Sequence, residues 1–329
     1  MRAQAFICVN LSPVEKEIEE PNETFVRLIR KERKTKGVET RAGGFGLCSC
    51  GFNRPDQLTF RFMSQNPIIT LLSDFGINDV YVGVMKGVIA QINPALTIID
   101  LTHEIPRQNI AAARFNLMNA YPYFPDRTIH VAVVDPGVGS QRRAIALQAD
   151  DGFLVGPDNG LFSGILTQST IVFAVELTNP EFWRTPTPSQ TFHGRDIFAP
   201  VGAHLASGVS LDELGSVIEP GTLVQLPIPE LTKTATGITG SIQYIDHFGN
   251  LITNIPAADV TGKTWSVTVN QHQIPTNQTY SDRPLGELIA LIGSHGWVEI
   301  AVNCGSAQSE LQLDLGKRVD VAVTTEMKG

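Results

Sequence analysis

An α/β domain followed by a smaller all-β barrel is the fold predicted for this chain of 329 residues, and three observations predict it. From Pro67 onward, apolar strand-like runs alternate with helical periodicity, the order that builds a mostly parallel sheet with helices on both faces. After Gly215 this alternation stops, and short runs rich in Val and Thr, spaced by turns, take over. Between the two, residues 219–236 hold Pro220, Pro227 and Pro229 and no helical pattern, which reads as a linker. The expected domains are therefore 67–218 and 237–329.

The elements follow in order. PIITLLSDFG is an apolar strand that ends on Asp74. Asn78 or Asp79 can cap a helix whose Val80, Val84, Val88 and Ile92 repeat every four residues, and Pro94 closes it. A strand over Leu96–Ile99 ends on Asp100, and a helix follows near Ile110–Tyr121. The Thr128–Val134 strand holds a continuous apolar run from Val131, the pattern of a strand buried on both faces. It ends on Asp135, and Pro136, Gly137 and Gly139 then force a turn before Arg142 and Arg143. Short strands near Ala144–Gln148 and Phe153–Val155 lead into a turn at Pro157–Gly160. A helix from about Asp196 to Ala206 stops at Gly208. In the second domain, ITGSIQYID, LITNI, WSVTVNQHQI, LIALIG, WVEIAVN and LDLGKRVDVAV give six short strands.

Composition narrows the class. A net charge of −8 argues against a nucleic-acid partner. No apolar run reaches the roughly 20 residues of a membrane span, and the first residues lack the apolar region of a secretory signal. The default expectation is a cytoplasmic location. Cys8, Cys48, Cys50 and Cys304 show no zinc-ligand spacing and no disulfide framework. Residues 1–66 stand apart, with 11 of the 25 Lys and Arg but only 8 of the 33 Asp and Glu. That segment reads as a disordered basic extension or as an upstream start to a protein that begins at Met63.

Four polar clusters interrupt the elements: SDFG at 73–76, DPGVGSQRR at 135–143, TFHGRD at 191–196 and DHFGN at 246–250. Each has a plain structural alternative. Asp74 can be a turn residue, DPGVG a tight turn, His193 a satisfied core histidine and DHFGN a β-turn. Strand-end carboxylates such as Asp74 and Asp135 nevertheless sit where open parallel sheets bind ligands. Together the clusters point to a polar site assembled without metal-ligand spacing.

The same clusters carry a family resemblance. The segments LLSDFG, VYVGVMKGVI, IIDLTHEIP, VAVVDPGVGSQRRAI, VGPDNGLF, TFHGRDIFAP, IDHFGNLITNI and GSHGWVEIAVNCGSA resemble the S-adenosylmethionine (SAM) hydroxide adenosyltransferases, relatives of the SAM-dependent fluorinase and chlorinase. The resemblance runs from Ile68 to about Val323. It implies hydrolysis of SAM at the ribose C5′ to adenosine and L-methionine, with SAM as substrate, no cofactor and no metal. It also implies a homotrimer that binds SAM between neighbouring subunits. Asp135, Arg142 and His193 would surround the attacking water, with His193 the candidate proton acceptor. Asp74 would hold the ribose diol. Asp246 and Asn250 would meet the methionine amino end, with Phe248 against an apolar or ring face. Ser294 would meet the carboxylate, beside a His295 that stands where the halogenases carry Arg. Backbone groups around Val302 and Asn303 would read the adenine edge.

Three rival functions accompany this reading: a non-catalytic SAM or adenosine sensor, a SAM-dependent halogenase, and a metal-dependent phosphohydrolase built on strand-end aspartates. The intact Asp135, Arg142 and His193 oppose the first, the carboxylate of Asp135 would repel a halide, and the last needs closely spaced carboxylates around a cation.

Overall fold

Strand β1 (Ile68–Ser73) buries five of its six residues, as a continuous apolar run in a parallel sheet should. The computed structural model describes residues 67–324, and the readings of the 1–66 extension lie outside the described residues. Helix α1 (Tyr81–Ile92) turns Met85, Val88 and Ile89 inward. Its N-cap is Val80, with no side-chain cap bond, so neither Asn78 nor Asp79 fills the expected role. The helix begins one residue past them, and Val80 is left 73% exposed. At Asn93 the chain leaves the helix in an extended conformation, just before Pro94.

Strand β2 (Thr97–Thr102) lies at the sheet edge and runs two residues past Asp100, which is thus inside the strand and not at its end. Helix α2 (Ile110–Ala120) is capped by Asn109, whose side chain accepts from the Ala112 N–H at 2.9 Å. Strand β3 (Thr128–Val133) is buried throughout and pairs in parallel with β1. Strands β4 (Ala144–Ala149) and β5 (Gly152–Pro157) form an antiparallel pair, with β5 parallel to β3. A single turn α3 (Ser163–Leu166) and strand β6 (Ile171–Glu176) follow. A π-helical turn over Gly194–Phe198 runs into α4 (Ala199–Ala206), and β7 (Ser216–Val217) ends the sheet. The strand order is β2-β1-β3-β5-β4-β6-β7. Four parallel strands carry the predicted α/β core, and three antiparallel strands extend it into a mixed sheet.

Both faces of this sheet are covered. Ile69, Leu71, Val131 and Val133 pack with Met85, Ile89, Phe198 and Val201 on one face. Leu72, Ala132, Val134 and Leu154 pack with Ala113 and Leu117 on the other. Each fully buried Leu, Ile or Val contributes roughly 1.5–3 kcal/mol, so these two layers are the main apolar stabilisation of this sheet.

The second sheet comprises β8 (Thr232–Lys233), β9 (Gly237–Ile245), β10 (Leu251–Pro256), β11 (Thr264–Val269), β12 (His272–Ile274), β13 (Leu288–Ile292), β14 (Trp297–Val302) and β15 (Arg318–Thr324). Its order is β12-β11-β15-β9-β10-β14-β13, with β8 paired to β9. All strand pairs are antiparallel, and a bridge between Thr276 and Ala290 brings the ends toward closure around an apolar core. This is the barrel-like unit predicted from the sequence. The proline-rich segment before it is strapped to the first sheet. Arg143 donates to the Thr222 carbonyl at 2.6 Å, Asp158 accepts from Val224 N–H, and Ser163 Oγ accepts from Leu226 N–H. Phe115 of α2 stacks on Tyr244 of β9 at 4.5 Å, and Arg114 donates to Gln243. Among the described residues, no helix is long and apolar enough to cross a membrane.

Candidate active site

The site grows from the carboxyl ends of β1 and β3. Ser73 and Val133 are register partners on adjacent parallel strands, which lie roughly 5 Å apart. Asp74 and Asp135, one and two residues further on, therefore open onto the same edge. The Asp135–Ser140 turn closes through Val138 N–H to Asp135 O at 3.2 Å and Ser140 N–H to Gly137 O at 3.1 Å. Gly139 adopts φ +76°, and a Cβ there would lie 2.5 Å from the carbonyl oxygen of Gln190. Only glycine permits this approach, which lays the segment preceding His193 against the turn that carries Arg142.

His193 sits at the head of the π-helical turn. That turn is pinned by Asp196, whose fully buried carboxylate takes bonds from Arg184, Arg195 and the Ser189 N–H. Burial alone would raise the Asp196 pKa, but the two guanidiniums and the amide outweigh it and hold the carboxyl well below the usual carboxylate range.

Asp135, Arg142 and His193 come together. Arg142 Nε lies 3.0 and 3.1 Å from the two Asp135 oxygens, and Nη2 makes a further bond to Oδ2. The same Nη2 lies 2.6 Å from His193 Nδ1. A guanidinium can only donate, so Nδ1 is the acceptor and the neutral ring carries its proton on Nε2. Burial, and then the charge of Arg142, lower the pKa of His193, with Asp135 opposing. The side chains of Arg142 and Asp135 are 10% and 5% exposed. Arg142 also lies over the Phe198 ring, 5.3 Å from its centroid. Its Nη1 donates to nothing among the described residues. The result is a compact unit of zero net charge with free donors on Arg142 and on His193.

Asp74 accepts the Gln108 N–H on Oδ2 at 2.7 Å, and its Oδ1 has no partner among the described residues. Phe75, Tyr81 and Phe192 form an aromatic cluster beside it, with centroids 5.2 to 6.0 Å apart.

The barrel residues gather separately. Asp246 Oδ1 accepts the N–H groups of Phe248 and Asn250, each at 2.9 Å, and its Oδ2 accepts the Asn250 side chain. The turn is tight because Gly249, at φ +79°, lies so close to Ser306 that a Cβ would meet its Oγ at 2.1 Å. Phe248 stands 71% exposed at the tip. Ser294 is exposed and borders a cleft of about 360 Å³ shared with Met118, Tyr123 and Trp297. Asn303 N–H donates to the Glu287 carbonyl, Val302 O accepts from Gly305, and the Asn303 amide holds Arg283 O. Among the described residues, no hydrogen bond or ion pair joins any of these to Asp135, Arg142 or His193.

Sequence reasoning noted His295 beside Ser294 but gave it no partner, and it assigned no role to His103 or Ser73. His295 is not free: Nδ1 accepts from the Trp297 N–H, and Nε2 faces the buried carboxylate of Glu299 at 3.0 Å, which Tyr280 also binds. His103 and Ser73, both buried, meet directly behind Asp74. The signal for them was present in LTHEIP and SDFG, as polar residues inside otherwise apolar strand ends.

Comparison with known proteins adds the following. A model of the SAM hydroxide adenosyltransferase N-terminal domain matches residues 69–215, and one of the SAM hydroxide adenosyltransferase C-terminal domain matches residues 240–320. The (R)-S-adenosyl-L-methionine hydrolase of Salinispora tropica is 41% identical over 260 residues, covering 79% of this chain and 99% of that protein. The protein of the same name from Thermus thermophilus is 40% identical, covering 76% of this chain and 98% of that protein. The crystal structure of an uncharacterized conserved protein from Thermotoga maritima superimposes with a TM-score of 0.72 at 35% identity, over 77% of this chain and 99% of that one.

Proposed function

The chain belongs to the SAM hydroxide adenosyltransferase family, and from that premise we infer that it cleaves SAM with water at the ribose C5′, releasing adenosine and L-methionine. The observation that carries the reading is the Asp135–Arg142–His193 unit at the strand ends. The sulfonium is already a good leaving group, because its charge vanishes as the C5′–S bond breaks. The protein must align water opposite sulfur and give it hydroxide character.

The geometry supports a division of labour. The single lone pair of His193 is taken by Arg142, so the ring offers an N–H to the water and no site for its proton. Asp135 accepts two bonds from Arg142 on Oδ2 but only one on Oδ1, so Oδ1 keeps an unshared lone pair and is the proton acceptor in this arrangement. Arg142 Nη1 and His193 Nε2 then stabilise the developing hydroxide as donors. The electron pair of the new C5′–O bond comes from water, that of the C5′–S bond goes to methionine, and the proton goes to Asp135. A carboxylate at the nucleophile position disfavours a halide, which separates this site from halogenation.

The two Salinispora and Thermus relatives bear names that specify the (R) sulfonium, and we extend that preference to this chain. A mixture of both sulfonium epimers incubated with the protein is expected to lose the (R) form and yield equimolar adenosine and methionine by chromatography, unchanged by high chloride. Release of 5′-methylthioadenosine or S-adenosylhomocysteine would mean that a different bond breaks. No turnover, with SAM bound, would favour a sensor.

The reading includes a trimer in which each site draws on two subunits. Ile77 and Val80 are 74% and 73% exposed beside the Asp74 edge, and Phe248 and Leu285 are 71% and 75% exposed on the barrel. Two unlike apolar patches on one chain suit a head-to-tail ring. In this arrangement Asp246, Asn250, Phe248, Ser294 and the Val302–Asn303 backbone serve a neighbour's Asp135. Co-expressing Asp135→Ala with Asp246→Ala is then expected to restore activity that neither variant has alone. Native mass spectrometry should find three copies, and a monomer with full activity would end the shared-site proposal.

A further inference from the structure

Behind Asp74 lies a chain of four polar side chains that the reaction itself does not use. Lys86 of α1 donates to Asp100 Oδ2 at 2.6 Å. Asp100 Oδ1 lies 3.2 Å from His103 Nε2, a contact poorly aligned for a hydrogen bond and the weakest link. His103 Nδ1 lies 2.8 Å from Ser73 Oγ, which also accepts the Phe75 N–H at 3.3 Å. The Asp100 carboxylate sets the direction of the chain: it can only accept, so the neutral His103 ring carries its proton on Nε2 and its Nδ1 takes the Ser73 hydroxyl hydrogen. Ser73 is 1% exposed and His103 5%, so the central pair is shielded from water.

The same loop grips the Asp74 turn twice more. The His103 carbonyl accepts the Gly76 N–H at 2.8 Å, and Gln108 donates its N–H to Asp74 Oδ2. Gln108 holds φ +62°, a left-handed conformation that a glutamine does not adopt without cost. A strained amide aimed at a carboxylate, with a buried relay fixing the residue before it, leaves one oxygen of Asp74 free and its direction fixed. Asp100 thereby finds a use as the outer anchor of this relay.

We propose that His103, through Ser73, is a positioning residue that holds the Asp74 carboxylate ready for the nucleoside half of the substrate. The proposal rests on the reading of Asp74 as the ribose contact. His103 touches no reacting atom, so its loss acts on binding of the adenosine portion and leaves the bond-breaking step alone.

The test is steady-state kinetics with product inhibition on His103→Ala, Ser73→Ala and Asp100→Asn, with Asp74→Ala as reference. For His103→Ala and Ser73→Ala, the KM for SAM and the inhibition constant of adenosine should both rise about tenfold, with kcat within about twofold of wild type and the inhibition constant of methionine unmoved. Asp100→Asn should show a smaller rise in the same two constants, and His103→Gln, which keeps an acceptor for Ser73, should recover part of the loss. A purely structural role would lower the melting temperature and the active fraction while KM stayed put. Ser73→Ala removes one atom, so it remains informative if His103→Ala does not fold. Folded Ser73→Ala with wild-type constants, beside an Asp74→Ala that binds adenosine poorly, would overturn the positioning role. Unchanged constants in Asp74→Ala would instead overturn the ribose reading, and this proposal with it.

Discussion

Replacing Asp135 with alanine lowers kcat for SAM cleavage by about 10²–10⁴-fold, while the dissociation constant for SAM changes little. The loss combines two effects. The variant has no acceptor for the water proton, and Arg142, whose Nε and Nη2 bind that carboxylate, is left half-buried without its counter-charge. Arg142→Ala is expected to fall in the same range, since it removes both the hydroxide-stabilising donors and the anchor of Asp135. His193→Ala should cost less, because His193 accepts from Arg142 and supplies only one N–H to the water. The Asp135→Ala/Arg142→Ala double variant should fall far short of the product of its singles, as residues acting as one unit do. Single-turnover rates with measured SAM dissociation constants check all four. A folded Asp135→Ala protein with wild-type kcat would remove the carboxylate from the chemistry.

Asp135 was legible in the sequence as a strand-end acid, whereas Arg142 and His193 acquired a role only through the resemblance carried by DPGVGSQRR and TFHGRD. β3 is apolar on both faces, so its end could be read to within a residue or two, and the glycines after it announce a turn. Bringing His193 to Arg142, across 51 residues, was not readable from pattern. It depends on the close approach of Gly139 to Gln190, a tertiary contact with no local signature. Asp100 misled for a related reason: an acid in an edge strand faces solvent and need not end the strand, so β2 continued to Thr102.

The barrel shows the same divide between local pattern and tertiary detail. WSVTVNQHQI looked like one strand, but it folds back at Asn270 and Gln271, both at positive φ. That geometry matches a type I′ hairpin turn, and a glutamine in its second position gives none of the usual Asn-Gly signal. Asp246 and Asn250 read as ligands for an amino group, yet in this chain they first satisfy their own turn. Such a turn can present its remaining lone pairs rigidly, which is compatible with a binding role but could not be inferred from DHFGN alone.

Acidification from pH 6.5 to 4 is expected to cost the folded protein about 3 kcal/mol through His130 alone. This residue lies in the middle of β3, 1% exposed, with Nδ1 2.8 Å from Thr70 Oγ1 and its ring against Tyr121 and Phe124. Burial lowers its pKa from 6.5 to about 4, against a weak opposing pull from Asp151. In that window the unfolded chain binds a proton that the folded state refuses, so stability rises with pH. The contribution is complete above 6.5, shrinks as pH falls, and is constant below about 4. The displacement from 6.5 to about 4 corresponds to about 3 kcal/mol at 1.36 kcal/mol for each tenfold change in proton affinity. His193 and His204 are lowered in the same direction and add to the slope, whereas Asp196 loses its contribution only below 3.8, the ordinary Asp value. Urea unfolding at pH 7.5 and 4.5 checks this against His130→Leu. The variant should be less stable at pH 7.5, because Thr70 loses its partner, but should lose about 2–3 kcal/mol less than wild type on going to pH 4.5. Equal losses in the two proteins would mean that His130 charges inside the sheet without cost, and that acid instability arises elsewhere.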